Sequence, residues 1–220
     1  KKHFTSIIVR NAEEMQGVLE DLLSLSRMES DSRQQRNVLL PEAVAEAARQ
    51  LREMAQSRGV EIRIAEDLPR IEVDAAAVEL CLVNYMSNGI KYCDPAKPER
   101  WVKVEAYRVD AQEEEGEVVV EVRDNGVGVP EDARDHLFER FYRASNSNYV
   151  EGTGLGLSIV RETMERLGGR AWVEVSGDGG EGCTFKIALP ARREADTSVS
   201  GQAPRGAPRC APGTPTQLFL

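Results

Sequence analysis

The sequence predicts an α/β protein: a two-layer α/β sandwich in which a mixed sheet carries helices on one face, preceded by a long bundle-type helix. Amphipathic helical segments alternate with short apolar strand segments, and a short acidic loop joins two of these strands as a hairpin. A seam of apolar residues near the amino end predicts the separate helix.

The amino-terminal seam lies within residues 4–29. Its members recur at alternating steps of four and three, which is the spacing found in coiled coils and helix bundles. Its one polar member is an asparagine, which can fix helix register at some cost in stability. The alternative is an ordinary amphipathic helix that packs on its own domain. The seam consists of Phe4, Ile8, Asn11, Met15, Val18, Leu22 and Leu25.

The sandwich follows a polar stretch that we interpret as a linker at residues 31–40, and it spans residues 41–190. Its first helix ends near Gly59 and its third at Gly168. Residues 191–220, rich in Pro, Ala, Gly, Ser, Thr and Arg, are predicted to be a disordered tail. The first helix begins at Pro41, the second follows the capping residue Asp74, and the third begins at Gly154. The predicted strands are Val60–Ile64, Trp101–Val109, Glu117–Val122, Ala171–Val175 and Thr184–Leu189.

Composition narrows the class of function. The formal net charge is −9 and the isoelectric point is about 5.0, which argues against nucleic acid as a partner, because such surfaces cluster Lys and Arg. The four cysteines lack metal-site spacing, and Cys81 and Cys183 fit packing thiols in a reducing compartment. No apolar run approaches the ~20 residues of a membrane-spanning helix. We expect a cytoplasmic chain without a membrane segment, although a longer parent protein could be membrane-anchored.

The strongest functional signal lies between Glu151 and Val160. Gly152, Gly154 and Gly156 alternate there, and an apolar helix-forming run follows at once. Glycines let backbone N–H groups approach a ligand, and a helix N-terminus adds unpaired donors and the positive end of the helix dipole. The stretch therefore predicts an anion site that suits phosphate. Its spacing matches neither a Walker loop nor a dinucleotide fingerprint.

A second signal is Asp124, which follows an apolar strand and precedes Gly126 and Gly128. An aspartate at a strand end is a suitable acceptor for the exocyclic amine of adenine, and the glycines leave room for a flat ring. The alternative is a plain Asn-Gly turn between two strands.

A third signal lies on a predicted helix. Asn84, Asn88 and Lys91 occupy positions i, i+4 and i+7, so their side chains project from one face in otherwise apolar surroundings. Amide oxygens can ligate Mg²⁺, and an ammonium group can pair with phosphate oxygens. The alternative is a solvated polar face.

Taken in order, these segments resemble the ATP-binding domain of sensor histidine kinases, within the Bergerat-fold (GHKL) superfamily that includes gyrase B, MutL and the ninety-kilodalton heat-shock chaperones. Asn84–Tyr92 resembles the N box, Asp124–Gly128 the first glycine box, Phe138–Arg143 the F box and Gly152–Gly156 the second glycine box. The resemblance covers about residues 36–190, with the boxes in family order. It implies a Bergerat fold that takes ATP and Mg²⁺.

The resemblance also implies roles for single residues. Asn88 and Asn84 would hold Mg²⁺, and Lys91 would neutralise charge during transfer, so that Asn84 and Lys91 count as catalytic. Arg140 or Arg143 would reach the phosphates. The implied nucleotide-binding set is Asn84, Asn88, Lys91, Tyr92, Asp124, Gly126, Gly128, Arg143, Gly152, Thr153, Gly154, Leu155, Gly156, Leu157 and Thr184.

Two further roles follow from the same resemblance. Thr184 stands where the family has a hydroxyl that helps to bind adenine through water, and Tyr92 would pack against the nucleotide. Residues 144–150 are polar and aperiodic, so we expect a mobile lid there, with Phe138 and Phe141 as its hydrophobic hinge.

The reaction is implied by a missing residue. In hydrolytic relatives a glutamate one turn before the metal-binding asparagine activates water. The residue four before Asn88 is Asn84, and an amide cannot act as a general base near neutral pH. The resemblance therefore implies transfer of the γ-phosphoryl group to a histidine, for relay to the aspartate of a response-regulator receiver domain.

The acceptor histidine is not evident in this sequence. The family's acceptor box has His followed by an acid and shortly after by Pro, whereas the residues after His3 include neither, and His136 lies inside the predicted ATP-binding domain. Residues 1–30 resemble the second helix of the dimerisation and phosphoacceptor hairpin, through which the parent protein would form a homodimer. We expect the acceptor upstream of residue 1.

Two alternative functions stay open. One is a regulatory module, or pseudokinase, that binds nucleotide without transferring phosphate. The other is a GHKL ATPase or a serine kinase of the anti-sigma type. Asn84 argues against the ATPase, and the helix at residues 4–29 argues against the serine kinase.

Overall fold

A computed structural model describes residues 36–109, 116–144, 152–175 and 182–190 of the chain. Two sheets and four α-helices form in these ranges. The strands are β1 (Asn37–Leu39), β2 (Glu61–Ile64), β3 (Glu72–Asp74), β4 (Trp101–Val109), β5 (Glu117–Asp124), β6 (Arg170–Val175) and β7 (Cys183–Pro190). The helices are α1 (Leu40–Gln50), α2 (Arg52–Arg58), α3 (Ala75–Lys91) and α4 (Gly156–Arg166).

The main sheet has five strands in the order β2-β4-β5-β7-β6. Strands β2 and β4 are parallel and the other neighbours are antiparallel, so the sheet is mixed as predicted. The predicted hairpin is formed by β4 and β5, with Val104 opposite Val122. Strands β1 and β3 form a small separate antiparallel pair.

The core lies between one face of the main sheet and the helices. Val118, Val119, Val120 and Val122 of β5 are all buried, as expected for the central strand of the sheet. Helix α3 supplies the opposing apolar surface, where the Tyr85 ring lies 5.0 Å from the Phe185 ring of β7. Burial of one such large side chain contributes roughly 1.5–3 kcal/mol. The predicted two-layer α/β sandwich is thus confirmed for the described residues.

The structure differs from the predicted elements in three places. The helix expected from Pro41 to near Gly59 is two helices, because the backbone at Leu51 has φ −94° and ψ 1° and leaves the helical conformation. Strands β1 and β3 have three residues each, too few for an alternating pattern to be detected, and β1 takes up the end of the predicted linker. A 3₁₀ helix at Glu131–His136 was not predicted either.

Several predictions concern residues outside the described ranges. These are the helix at residues 4–29, most of the lid and the tail at 191–220. Within the described part of the chain, no helix combines the length and the apolar character needed to cross a bilayer.

Candidate nucleotide-binding site

The polar face of α3 forms one wall of the candidate site. Asp74 caps the helix as predicted, since its Oδ1 accepts from the Ala77 N–H at 3.1 Å. Asn84, Asn88 and Lys91 are each half-buried, in contrast to the buried core positions of the same helix. The helical phase predicted for this face is therefore observed.

The two ends of the Asn84 amide have different contacts. Its Nδ2 donates to the Leu80 carbonyl of the preceding turn at 2.9 Å, which fixes the orientation of the amide. Its Oδ1 lies against Gly156, the first residue of α4, so closely that a methyl group at Gly156 would collide with it. The N box and the second glycine box, 72 residues apart in sequence, therefore meet at this oxygen.

Asp124, the last residue of β5, is only 6% exposed. Its Oδ1 accepts from the Gly126 N–H at 2.8 Å, and its carboxyl group also accepts from the Cys183 N–H. Burial raises the pKa of Asp124 to about 6, against the lowering effect of these two hydrogen bonds and of the Lys97 charge. The carboxyl group is thus a buried acceptor that is mostly ionised at neutral pH.

The end of α3 contacts the turn that follows Asp124. The Tyr92 carbonyl accepts from the Val127 N–H at 3.0 Å and lies directly against Gly126, where any Cβ would collide with it. Glycine is required at position 126 by this close approach. The N box and the first glycine box are therefore packed against each other.

The second glycine box leads into α4. The Thr153 hydroxyl accepts from the Leu155 N–H at 3.2 Å, and the helix starts one residue later. The first N–H groups of an α-helix have no partner within the helix, so the start of α4 presents donors beside Asn84. Leu155 is buried, and the half-buried members of the predicted set in the two glycine boxes are Gly128, Gly152, Thr153, Gly154, Gly156 and Leu157.

The F box adjoins this glycine stretch. The Phe141 N–H donates to the Gly154 carbonyl at 2.9 Å. Phe138 is buried beneath the Arg161 guanidinium, which lies 4.7 Å from the ring, whereas Phe141 is 66% exposed. Of the two predicted hinge aromatics, only Phe138 belongs to the core.

The two arginines predicted to reach phosphate have different surroundings. The Arg140 guanidinium is bound to Glu162 of α4 at 2.8 Å and is therefore engaged in a surface ion pair. Arg143 is exposed near the end of the described F box.

The expected position of Thr184 needs correction. In the register of β5 and β7, Thr184 is opposite Arg123, so it shares the sheet face of Arg123 and not that of Asp124. The residue beside Asp124 is Cys183, whose N–H bonds the carboxyl group. Burial, and next the Asp124 charge, raise the pKa of the Cys183 thiol to about 12. The sequence predicted Cys183 only as a packing thiol. Because Cys183 and the buried Phe185 are two residues apart on β7, both side chains lie on the sheet face that the helices cover.

Asn125 is a second residue whose place was not predicted. It lies inside the first glycine box, but its side chain is bonded to the segment between α3 and β4, with Nδ2 donating to the Glu99 carbonyl and Oδ1 accepting from the Trp101 N–H, each at 2.9 Å. No sequence pattern signals such a contact, because it depends on how a loop and a turn meet in space.

Comparison with known proteins agrees with this arrangement. Residues 73–193 match the family described as histidine kinase-, DNA gyrase B- and HSP90-like ATPase. The chain is 36% identical over 177 residues to the methanogenesis regulatory histidine kinase FilI of Methanothrix harundinacea, a match that covers 80% of this chain and 19% of that protein. The chain thus spans about a fifth of the length of that relative.

Solved structures show the same fold. The mycobacterial sensor histidine kinase MprB superposes with a TM-score of 0.60 at 25% identity, over 71% of this chain and 99% of that one. Full-length ShkA in complex with AMPPNP gives a TM-score of 0.61 at 24% identity, over 86% of this chain and 38% of that one, a likeness of fold alone. The chain belongs to the family of histidine kinase-, DNA gyrase B- and HSP90-like ATPases, as an ATP-binding domain of the sensor histidine kinase type.

Proposed function

We propose that this chain binds Mg-ATP and transfers the γ-phosphoryl group to a histidine of the hairpin in its parent protein, for relay to a response-regulator receiver domain. One observation carries the proposal. The N-box segment contacts both glycine boxes, through the Asn84 amide oxygen against Gly156 and the Tyr92 backbone carbonyl against Gly126. These contacts support a single site in which Asp124 would be the adenine acceptor and the start of α4 would supply backbone donors.

The donor set fits a magnesium ion. Hard oxygen ligands are the ligands that Mg²⁺ prefers, and the Asn84 amide is oriented by Leu80 so that its oxygen, not its nitrogen, faces the start of α4. Asn88 lies one turn further along the same face. A bound Mg²⁺ would supply charge neutralisation on the phosphates.

Other residues of the site would bind the adenine and the phosphates and would neutralise charge. Asp124 would accept from the adenine amine, and the backbone donors at the start of α4 would bind phosphate oxygens. Lys91 would neutralise charge that develops on the transferred group. Asn84 would not activate water, because an amide is not a general base, which favours transfer over hydrolysis.

The test is phosphate transfer in trans. The chain is mixed with the hairpin fragment of its own parent protein, labelled ATP and Mg²⁺. We expect a labelled fragment whose phosphate is lost in acid and retained in alkali, as for phosphohistidine, together with little ATP turnover by the chain alone. Binding of Mg-ATP without transfer would favour the regulatory module, and rapid hydrolysis by the chain alone would favour the ATPase.

Autophosphorylation of the chain alone tests the amino terminus. We expect none, since His3 lacks the surroundings of an acceptor. Labelling that disappears in His3→Gln would show that the acceptor lies in this chain.

A further inference from the structure

We propose that Asn125 and Lys97 are positioning residues that hold the Asp124 carboxyl group in the geometry and charge state of an adenine acceptor. The inference deepens the proposed function, because it concerns how that site recognises its base. It rests on the segment that connects the end of α3 to the start of β4.

Asn125 is hydrogen-bonded to the segment between α3 and β4. Its Nδ2 and Oδ1 bond Glu99 and Trp101, its own N–H donates to the Trp101 carbonyl at 3.4 Å, and its carbonyl accepts from Lys97 Nζ at 2.8 Å. All four polar groups of Asn125 are therefore bonded to residues 97–101. Because both polar ends of the Asn125 side chain are already hydrogen-bonded to this segment, the side chain is not a nucleotide ligand, although Asn125 lies between Asp124 and Gly126.

The segment between α3 and β4 is itself held in place by hydrogen bonds. At its start, the Lys91 carbonyl accepts from Arg58 Nη1 at 3.2 Å, and the Tyr92 carbonyl accepts from the Val127 N–H at 3.0 Å. In its middle, Asp94 Oδ1 accepts from the Ala96 N–H at 2.9 Å, which closes a tight turn before Lys97. The glycine turn after Asp124 is thus held on both sides by one segment, through Tyr92 and through Asn125.

The charge of Lys97 also acts on the Asp124 carboxyl group. Burial raises the pKa of the Asp124 carboxyl group, and the hydrogen bonds from Gly126 and Cys183 and the charge of the half-buried Lys97 act against this rise. The bond to the Asn125 carbonyl fixes this ammonium group one residue away from Asp124. A protonated carboxyl group would present a hydrogen toward the adenine amine, which is itself a donor, so the ionised form is the one that binds.

Groups from three other elements surround Asp124. From β7 the Cys183 thiol lies beside it, with a pKa raised to about 12 by burial and next by the Asp124 charge, and Arg134 of the 3₁₀ helix acts on that thiol. Helix α3 contributes Gly89, and the register partner on β4 is Val102. Among the described residues, Lys97 is the cation whose charge acts on Asp124.

The first experiment follows the Asp124 carboxyl carbon by NMR as a function of pH in the nucleotide-free chain. We expect Lys97→Met to move the titration midpoint to higher pH and Lys97→Arg to restore it. Lys103→Met, which removes a lysine paired with Glu105 on β4, is the matched control and should leave the midpoint unchanged. An unchanged midpoint in Lys97→Met would overturn the role of Lys97. This result does not depend on ATP binding, so it is separate from a failure of the proposed function.

The second experiment measures the affinities for ATP and GTP. Lys97→Met should weaken ATP binding about threefold at pH 6, with the loss disappearing toward pH 8. Asn125→Ala should weaken ATP binding about tenfold at both pH values and reduce the preference for ATP over GTP. Equal losses for the two nucleotides in Asn125→Ala would assign Asn125 to fold stability and overturn its positioning role.

Discussion

The amide oxygen of Asn84 lies against the backbone of Gly156, so the first turn of α4 is seated on the N-box helix. Because Nδ2 of the same amide is bonded to Leu80, Asn84 cannot turn away from an added methyl group without losing that hydrogen bond. The contact links the predicted metal-binding face to the predicted phosphate loop.

Gly156→Ala should therefore weaken Mg-ATP binding about tenfold, since the displaced amide costs a hydrogen bond and the metal-binding geometry. Glu165→Ala is the control, because Glu165 is an exposed residue of the same helix and is not in the proposed site. Isothermal titration calorimetry with Mg-ATP provides the comparison. Equal losses in the two variants would show that the contact with Asn84 is irrelevant to binding.

Asp124→Asn should lose ATP affinity and yet stabilise the fold at alkaline pH. The pKa of Asp124 is raised to about 6 by burial, above the value of about 4 in an unfolded chain, so the native protein loses stability as the pH rises from about 4 through about 6. Asparagine removes this cost, and we expect a gain of about 1–3 kcal/mol in the free energy of unfolding at pH 8 but little at pH 4.

Urea unfolding at the two pH values measures this difference, and ATP titration measures the binding loss. The two effects have opposite signs, so general damage to the fold cannot mimic them. A variant that is less stable than the parent chain at pH 8 would contradict the burial argument.

Asn88→Ala should weaken ATP binding about tenfold in the presence of Mg²⁺ and hardly at all in its absence, because only the metal-bridged phosphates use this ligand. Ser87→Ala is the control on the same helix, since the Ser87 hydroxyl donates to the Asn84 carbonyl and is not in the proposed site. An equal loss with and without Mg²⁺ would assign Asn88 to folding.

The fold was largely predictable because its elements carry strong local patterns. Strand β5 is rich in valine, α3 has a capping aspartate and a continuous apolar face, and the hairpin is formed by neighbouring strands. The misses have local causes. Strands β1 and β3 are too short to show a period, and the break at Leu51 leaves the apolar spacing of the predicted helix almost intact.

The candidate site was predictable where one motif supplies one element, as for Asn84 and the glycine boxes. It was not predictable where two segments meet. The register of β7 against β5 decides that Cys183, and not Thr184, lies beside Asp124, and a shift of one residue would exchange them. The bonds from Asn125 to Glu99 and Trp101 likewise depend on tertiary packing.

Phe141 and Phe138 of the F box differ in backbone conformation and in burial. Phe141 has φ 63°, a left-handed conformation that costs a bulky L-residue about 1–2 kcal/mol, and its ring is exposed. Phe141→Gly should relieve this strain, and since glycine is entropically costly, the free energy of unfolding should stay within about 1 kcal/mol of the parent value. Phe138→Ala should lower it by about 3 kcal/mol, because this ring is 5% exposed and packed under Arg161. Urea unfolding of both variants checks the contrast, and a loss in Phe141→Gly as large as that in Phe138→Ala would show that the Phe141 ring packs in solution.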